Sequence, residues 1–432
     1  MFKFPKLTKL ERSWVLYDVA NSAFVLTVIT VLFPILYKIV YEDSGLDNFA
    51  TKGTVYLKFL TAGIAFTVAI LSPIVGAWVN FKDNKSKLFK LFLFLGIIGG
   101  FGLAIPGLSW ITLLVIFALS SIGFNLTNVV YDAFLVDVTT PEKMDEISAF
   151  GFGMGYIGSM IPFFIGIIPF GLVSLGKISE DYSVYAISFA FFISVLWWFL
   201  YSLPILKNVK QKYVAEGEGT LGDSLARLGR TFKEIKNYKN VFIFMIAYLL
   251  YIDVVNTVIR LATNIGGDLN VGDITLLGVV VLVQLIAFPC AILFGRMTKK
   301  FGPKKMIFYG ITMYFITILV VFNITVGREW LMWVVALLIG TAQGGIQAVS
   351  RSFFARIIPT ERANDFFGFF SVFGRFGGII SPFLIGMFQV SMDGMWGNNG
   401  INNAVLLLTI PLGLGAIIFA FVKDEKSELI GE

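Results

Sequence analysis

Four polar residues in one otherwise apolar stretch carry the most specific chemical signal in the chain. The segment Val241 to Ile265, VFIFMIAYLLYIDVVNTVIRLATNI, holds Asp253, Asn256, Arg260 and Asn264. Their spacing of i, i+3, i+7 and i+11 sets all four on one face of a helix. A segment of this length crosses a hydrocarbon core of about 30 Å with some tilt. An ionisable side chain at that depth costs several kcal/mol unless it faces a protein interior or a water-filled cavity. A carboxylate and a guanidinium two turns apart on one stripe therefore point to a polar pocket inside a helical bundle. A salt bridge that only holds helices together is the alternative.

Six charged residues lie within apolar segments away from their ends: Asp18, Asp132, Asp253, Arg260, Arg351 and Arg375. Three are acidic and three basic, so pairing can neutralise the interior, as the cost of a lone buried charge demands. Arg375 lies about 12 residues into its segment, roughly 18 Å at 1.5 Å per residue, and Asp253 and Arg260 are similarly deep. This deep set, with Asn256, reads as a binding site. Arg binds carboxylates bidentately, while Asp253 can meet an ammonium or carry a coupling proton. Gln284, Gln343, Gln347, Asn125 and Asn128 offer amide contacts to the same cavity; interhelical hydrogen bonds of about 0.6 kcal/mol each are their simpler reading. Asp18, Asp132 and Arg351 are shallower and read as a gate.

The composition sets the class. The chain of 432 residues is 57% hydrophobic and 14% charged, where a soluble globule carries about a quarter charged residues. It is expected to be an all-α polytopic membrane protein embedded in a lipid bilayer. Histidine is absent, which removes the commonest general base and metal ligand and leaves Asp as the intramembrane proton carrier. The lone Cys290 excludes a disulfide and a thiolate metal site. No metal site, catalytic centre or cofactor is expected. The net charge of +6 comes from basic residues beside helix ends and does not indicate nucleic acid. The opening residues up to Arg12 read as a soluble arm without a signal peptide.

Twelve spans are expected, near 14–41, 54–81, 88–106, 110–137, 146–172, 183–204, 241–265, 273–298, 304–325, 329–357, 363–390 and 400–422. They divide into a six-helix bundle over 1–206, a linker over 207–240 and a second bundle over 241–432. Within the linker, Leu225, Leu228, Phe232 and Ile235 could face one side of an amphipathic surface helix; a flexible segment is the other reading. With the N-terminus in the cytoplasm, about 26 Lys and Arg fall on that side and three (Lys52, Lys177, Arg328) on the other, so both termini are expected there.

The halves look like repeats. Gly76 corresponds to Gly295 at an offset of 219, and the same frame, within a residue, carries Pro141 onto Pro359 and Pro162 onto Pro382. It also carries Asp132 and Asp137 onto Arg351 and Arg356, an acidic pair in one half against a basic pair in the other. Such a set can lock the closed side of a transporter; Asp137 pairing with Lys85 or Lys87 in its own half is the alternative. Asp18-Val-Ala-Asn21-Ser22 resembles Asp253-Val-Val-Asn256-Thr257 at an offset of 235, which the frame treats as chance.

Two parallel six-span halves joined by a basic linker are the plan of the major facilitator fold. The loops after Gly76 and Gly295 resemble its G-x-x-x-D-x-x-G-R-[KR] signature, with Asn80 and Lys299 where the Asp belongs. Four longer stretches, WVLYDVANSAFVLTVITVLFP, VVYDAFLVDVTTPEKMDEISAFGFGMGYIG, YLLYIDVVNTVIRLA and QGGIQAVSRSFFARIIPTERANDFFGF, are similar to the fungal vacuolar amino-acid effluxers and their bacterial relatives. The resemblance covers nearly the whole chain. It implies a transporter, and for the bacterial members no settled substrate. The expectation is a secondary active transporter, monomeric, in the bacterial cytoplasmic membrane, moving a small polar solute such as an amino acid or another carboxylate by alternating access. An intramembrane enzyme is disfavoured, and a non-transporting sensor or a lipid-handling facilitator is the rival reading.

Overall fold

The computed structural model describes residues 4–46, 48–215, 220–234, 238–268, 273–325, 327–376, 381, 384–385 and 405–424. Ten helices among them are long and apolar enough to cross a membrane. The first, α1 (Lys9–Asp43), starts at a reciprocal cap written T-x-x-E in the sequence. Thr8 accepts from the Glu11 amide at 3.2 Å, and Glu11 accepts from the Thr8 amide at 2.7 Å. Its middle, Phe24–Leu32, widens to π geometry. That stretch carries Val25, Thr27, Val28, Ile29, Thr30 and Val31, whose branched side chains crowd a regular α turn.

There follow α2 (Thr54–Trp78), α3 (Asn84–Leu103), α4 (Trp110–Ala133), α5 (Met144–Ser174) and α6 (Ser183–Asn208). The linker contains α7 (Leu221–Glu234); then come α8 (Lys239–Asp268), α9 (Asp273–Phe301), α10 (Pro303–Phe322), α11 (Leu331–Ile357), α12 (Ala363–Phe376) and α13 (Thr409–Ala420). The last expected spans, 363–390 and 400–422, extend beyond the described residues.

The repeat frame reappears in the element boundaries. Starts at Thr54 and Asp273, Asn84 and Pro303, and Met144 and Ala363 are each 219 apart, as are the ends at Leu103 and Phe322. Both α3 and α10 are entered through a positive-φ residue, Asp83 at 63° and Gly302 at 79°. This geometry explains the glycine of the signature, and Asp is among the few side chains that tolerate it. Asp18 lies nine residues into α1 and Asp253 fourteen into α8, so their likeness at an offset of 235 stays outside the repeat frame.

The chain forms two compact units. One comprises 6–138 and 154–224. Trp14 and Tyr131 stack in it at 4.7 Å, and each ring donates to the other residue's carbonyl. Where α3 crosses α4, a Cβ on Gly123 would meet the backbone of Phe92 and Gly96. Gly123→Ala is therefore expected to lower stability by about 1–3 kcal/mol, read as an earlier thermal unfolding midpoint in detergent, with no change for the same substitution at Gly63, where the space is open. The other unit comprises 1–5, 139–153 and 225–432. Its core is a ring cluster in which Phe244 lies 5.2 Å from Phe353 and Tyr248 stacks on Phe370 at 4.3 Å.

Within the linker, α7 begins at a second cap. The Thr220 amide and hydroxyl donate to Asp223, holding its exposed carboxyl below the usual range. Of the expected amphipathic face, Leu225 is exposed; the side chain of Phe232, and Ile235, lie outside the described residues.

Candidate functional site

Asp253 is fully enclosed on α8, and one of its carboxylate oxygens accepts from the backbone amide of Ser381 at 2.7 Å. An apolar helix of this length is stable in a membrane only with such a charge taken up internally, and here it fastens α8 to the chain beyond α12. Asn256 and Thr257 share that stripe, Asn256 half-buried and Thr257 buried. The side chains of Arg260, Asn264 and Arg375 lie outside the described residues.

Two residues before Asp253, on the opposite side of α8, the Tyr251 hydroxyl and Ser350 on α11 share a 2.6 Å hydrogen bond. Gln343 and Gln347 continue the same face of α11 at helical spacing, both half-buried. Gly340 brings α11 against Ile286 and Val283 of α9, beside the half-buried Gln284. Among the described residues, the enclosed side-chain oxygens of Gln284 and Gln343 have no hydrogen-bond partner.

In the other unit a second stripe forms on α1. Asp18 and Asn21 are buried, and Asn21 donates to Asn128 of α4 at 3.1 Å. Asn125 and Asp132 are half-buried on α4. Gly155 of α5 approaches Ser22, and Gly158 approaches Val19, so small residues let α5 close on this stripe.

The residues expected to gate have well-defined partners. Asp137, expected opposite Arg356, is instead bonded within its own half. It takes a 2.5 Å ion pair from Lys85 and a 2.8 Å hydrogen bond from the Lys212 amide. Both side chains are 1% exposed, and Lys85 also donates to the Ala133 carbonyl at 2.9 Å. The cause is local: α4 ends at Ala133, and the short turn Leu135–Val138 returns Asp137 toward the start of α3. Arg356 pairs with Asp145 at 3.0 Å, and Ser352 donates to the same carboxylate at 2.5 Å. Arg351, 4% exposed, donates to the Ser148 hydroxyl at 3.0 Å and lies over the Phe152 ring at 4.4 Å. Lys299 pairs with Glu146 at 2.5 Å. The start of α5 is thus bonded to the ends of α9 and α11. Sequence reasoning passed over Asp145, Glu146 and Ser148, although an acidic first turn written M-D-E-I-S was visible.

A family model described as "Vacuole effluxer Atg22 like" matches residues 137–429. The chain belongs to the Atg22-like effluxer family. A similar relative is the MFS-type transporter YxiO of Bacillus subtilis (strain 168), named as uncharacterized, which is 40% identical over 98% of this chain and 96% of its own. Autophagy-related protein 22 of Eremothecium gossypii is 21% identical over 87% of this chain and 84% of its own. Among solved structures, the MFS proton:xylose symporter XylE superposes with a TM-score of 0.67 at 14% identity, over 98% of this chain and 96% of that one. The Atg22-like chain therefore has the major facilitator fold and is a multi-pass membrane transporter for a small molecule.

Proposed function

We propose that this protein is a secondary active transporter that moves a small polar solute, an amino acid or another carboxylate, by alternating access. In this reading it works as a monomer in the bacterial cytoplasmic membrane, with both termini in the cytoplasm and the halves 1–206 and 241–432 rocking about the site. The observation that carries it is the polar stripe of α8, where the enclosed Asp253 is followed by Asn256 and Thr257 in an otherwise apolar helix. Arg260 and Arg375 hold the solute's anionic group, and Asp253 carries the coupling proton. Purified protein in proteoliposomes should support counterflow of a labelled amino acid or carboxylate, and Arg260→Gln should abolish it while the protein stays monodisperse. Absence of flux for every amino acid and carboxylate tried would overturn the proposal.

One feature favours handling of a lipid instead. A groove of about 480 Å³ between α2 and α4 is lined by Phe59, Leu60, Ile64, Trp110 and Leu114, with Tyr56 stacked on Trp110 at its rim. Movement of a fluorescent phospholipid between leaflets, in liposomes that show no amino-acid or carboxylate flux, would support that reading.

A further inference from the structure

The groove between α2 and α4 lies wholly within one compact unit. Its lining runs from Tyr56 down to Thr67 on α2 and from Trp110 down to Ile122 on α4. At 1.5 Å per residue these stripes are roughly 16 and 18 Å long. That is close to the depth of one leaflet, half of a hydrocarbon core of about 30 Å. The lining residues recur at three- and four-residue spacing, so each helix presents one continuous face to the slot. Midway stand the small residues Gly63 and Ala118, and a Cβ on Gly63 would meet open space. In a bilayer such a slot gains nothing from excluding water. What selects its occupant is shape along its length and charge at its mouth.

The mouth carries charge of both signs. Tyr56 stacks on Trp110 at 5.5 Å, an aromatic pair of the kind that sits at headgroup level. Lys52, exposed, stands four residues before Tyr56 in the short helical segment Phe49–Gly53 that leads into α2. Tyr41 meets the edge of the Trp110 ring at 5.5 Å, which brings the end of α1 to the same mouth. Glu42 and Asp43 follow it, both exposed. A cation and two carboxylates around one aromatic pair match a headgroup that holds a phosphate and an ammonium.

We propose that this groove is a resident phospholipid site. One acyl chain lies along α2 and α4, and a phosphatidylethanolamine headgroup sits at the mouth, its phosphate toward Lys52 and its ammonium toward Glu42 and Asp43. The lipid is here a fixed part of the folded protein, not a solute carried across the membrane, so the site stands apart from both readings of function above. It fills the one stretch of the α2 face that Gly63 leaves open.

Native mass spectrometry of the full chain in detergent, with palmitoyl-oleoyl phosphatidylethanolamine added, tests the site. The wild type should keep a single lipid at a collision energy that strips the rest, and the same lipid should raise its thermal unfolding midpoint. Gly63→Leu fills the slot and should lose both effects; should it fail to fold, Ala118→Leu gives the same reading. Lys52→Gln should weaken lipid binding about fivefold. Glu42→Gln combined with Asp43→Asn should bind phosphatidylethanolamine and phosphatidylglycerol equally, where the wild type prefers the former. A Gly63→Leu protein that keeps its lipid, a Lys52→Gln protein of unchanged affinity, or a wild type that sheds both lipids or holds them equally overturns the proposal. So does a spectrum in which Gly63→Leu removes a second copy of the chain and not a lipid. The readout contains no flux, so failed transport in proteoliposomes leaves it standing, and a lost lipid leaves the transport reading untouched.

Discussion

Asp137→Ala is expected to lower the stability of the protein by about 3–5 kcal/mol. The pair with Lys85 is 1% exposed on both sides, so removing the carboxylate leaves an ammonium buried without its counter-charge. It also leaves the Lys212 amide without its acceptor. The double variant Lys85→Met/Asp137→Leu removes both charges and should recover part of the loss. Recovery will be incomplete, because the Ala133 carbonyl and the Lys212 amide then lack partners, at about 1–3 kcal/mol each. Unfolding midpoints in detergent for the two single variants and the double variant measure this. A double variant no more stable than Asp137→Ala would show that the charges themselves are not the cause.

Breaking the bond between Asp145 and Arg356 should act on conformation more than on folding. Asp145 accepts from Arg356 and Ser352, and its side chain is 11% exposed against 27% for Arg356. A hydrogen-bonded charge in this setting contributes about 1.5–3 kcal/mol, roughly ten- to a hundredfold or more in an equilibrium constant. In a Cys290→Ala background, Ala348→Cys sets a thiol at a buried position whose carbonyl accepts from Ser148, and Asp145→Ala should raise its labelling by a water-soluble maleimide by about that factor. Asp145→Arg combined with Arg356→Asp should restore much of the wild-type rate. A swap that labels as fast as Asp145→Ala would separate the contact from the gate.

Much of the helical plan was legible because apolar length is a direct physical requirement of a bilayer. The span expected at 304–325 is the helix Pro303–Phe322, and that at 329–357 is Leu331–Ile357. The repeat was legible from Gly76 and Gly295, since short basic loops tolerate little change in length. The partners of charged residues were the least legible. The sequence left Asp137 between Arg356, by symmetry, and Lys85 or Lys87 in its own half, and the turn after Ala133 sets it on Lys85. A one-dimensional pattern gives the depth of a charge and the face it occupies, but not which neighbouring helix end reaches it.

Helix α5 is a single rod of 31 residues, yet its stretch up to Gly153 groups with one compact unit and its remainder with the other. Its bonds to the rest of the first of these are gathered in one turn: Asp145 to Arg356, Glu146 to Lys299 and Ser148 to Arg351. Three contacts on one turn of a rigid helix share a single base, so they part together or not at all.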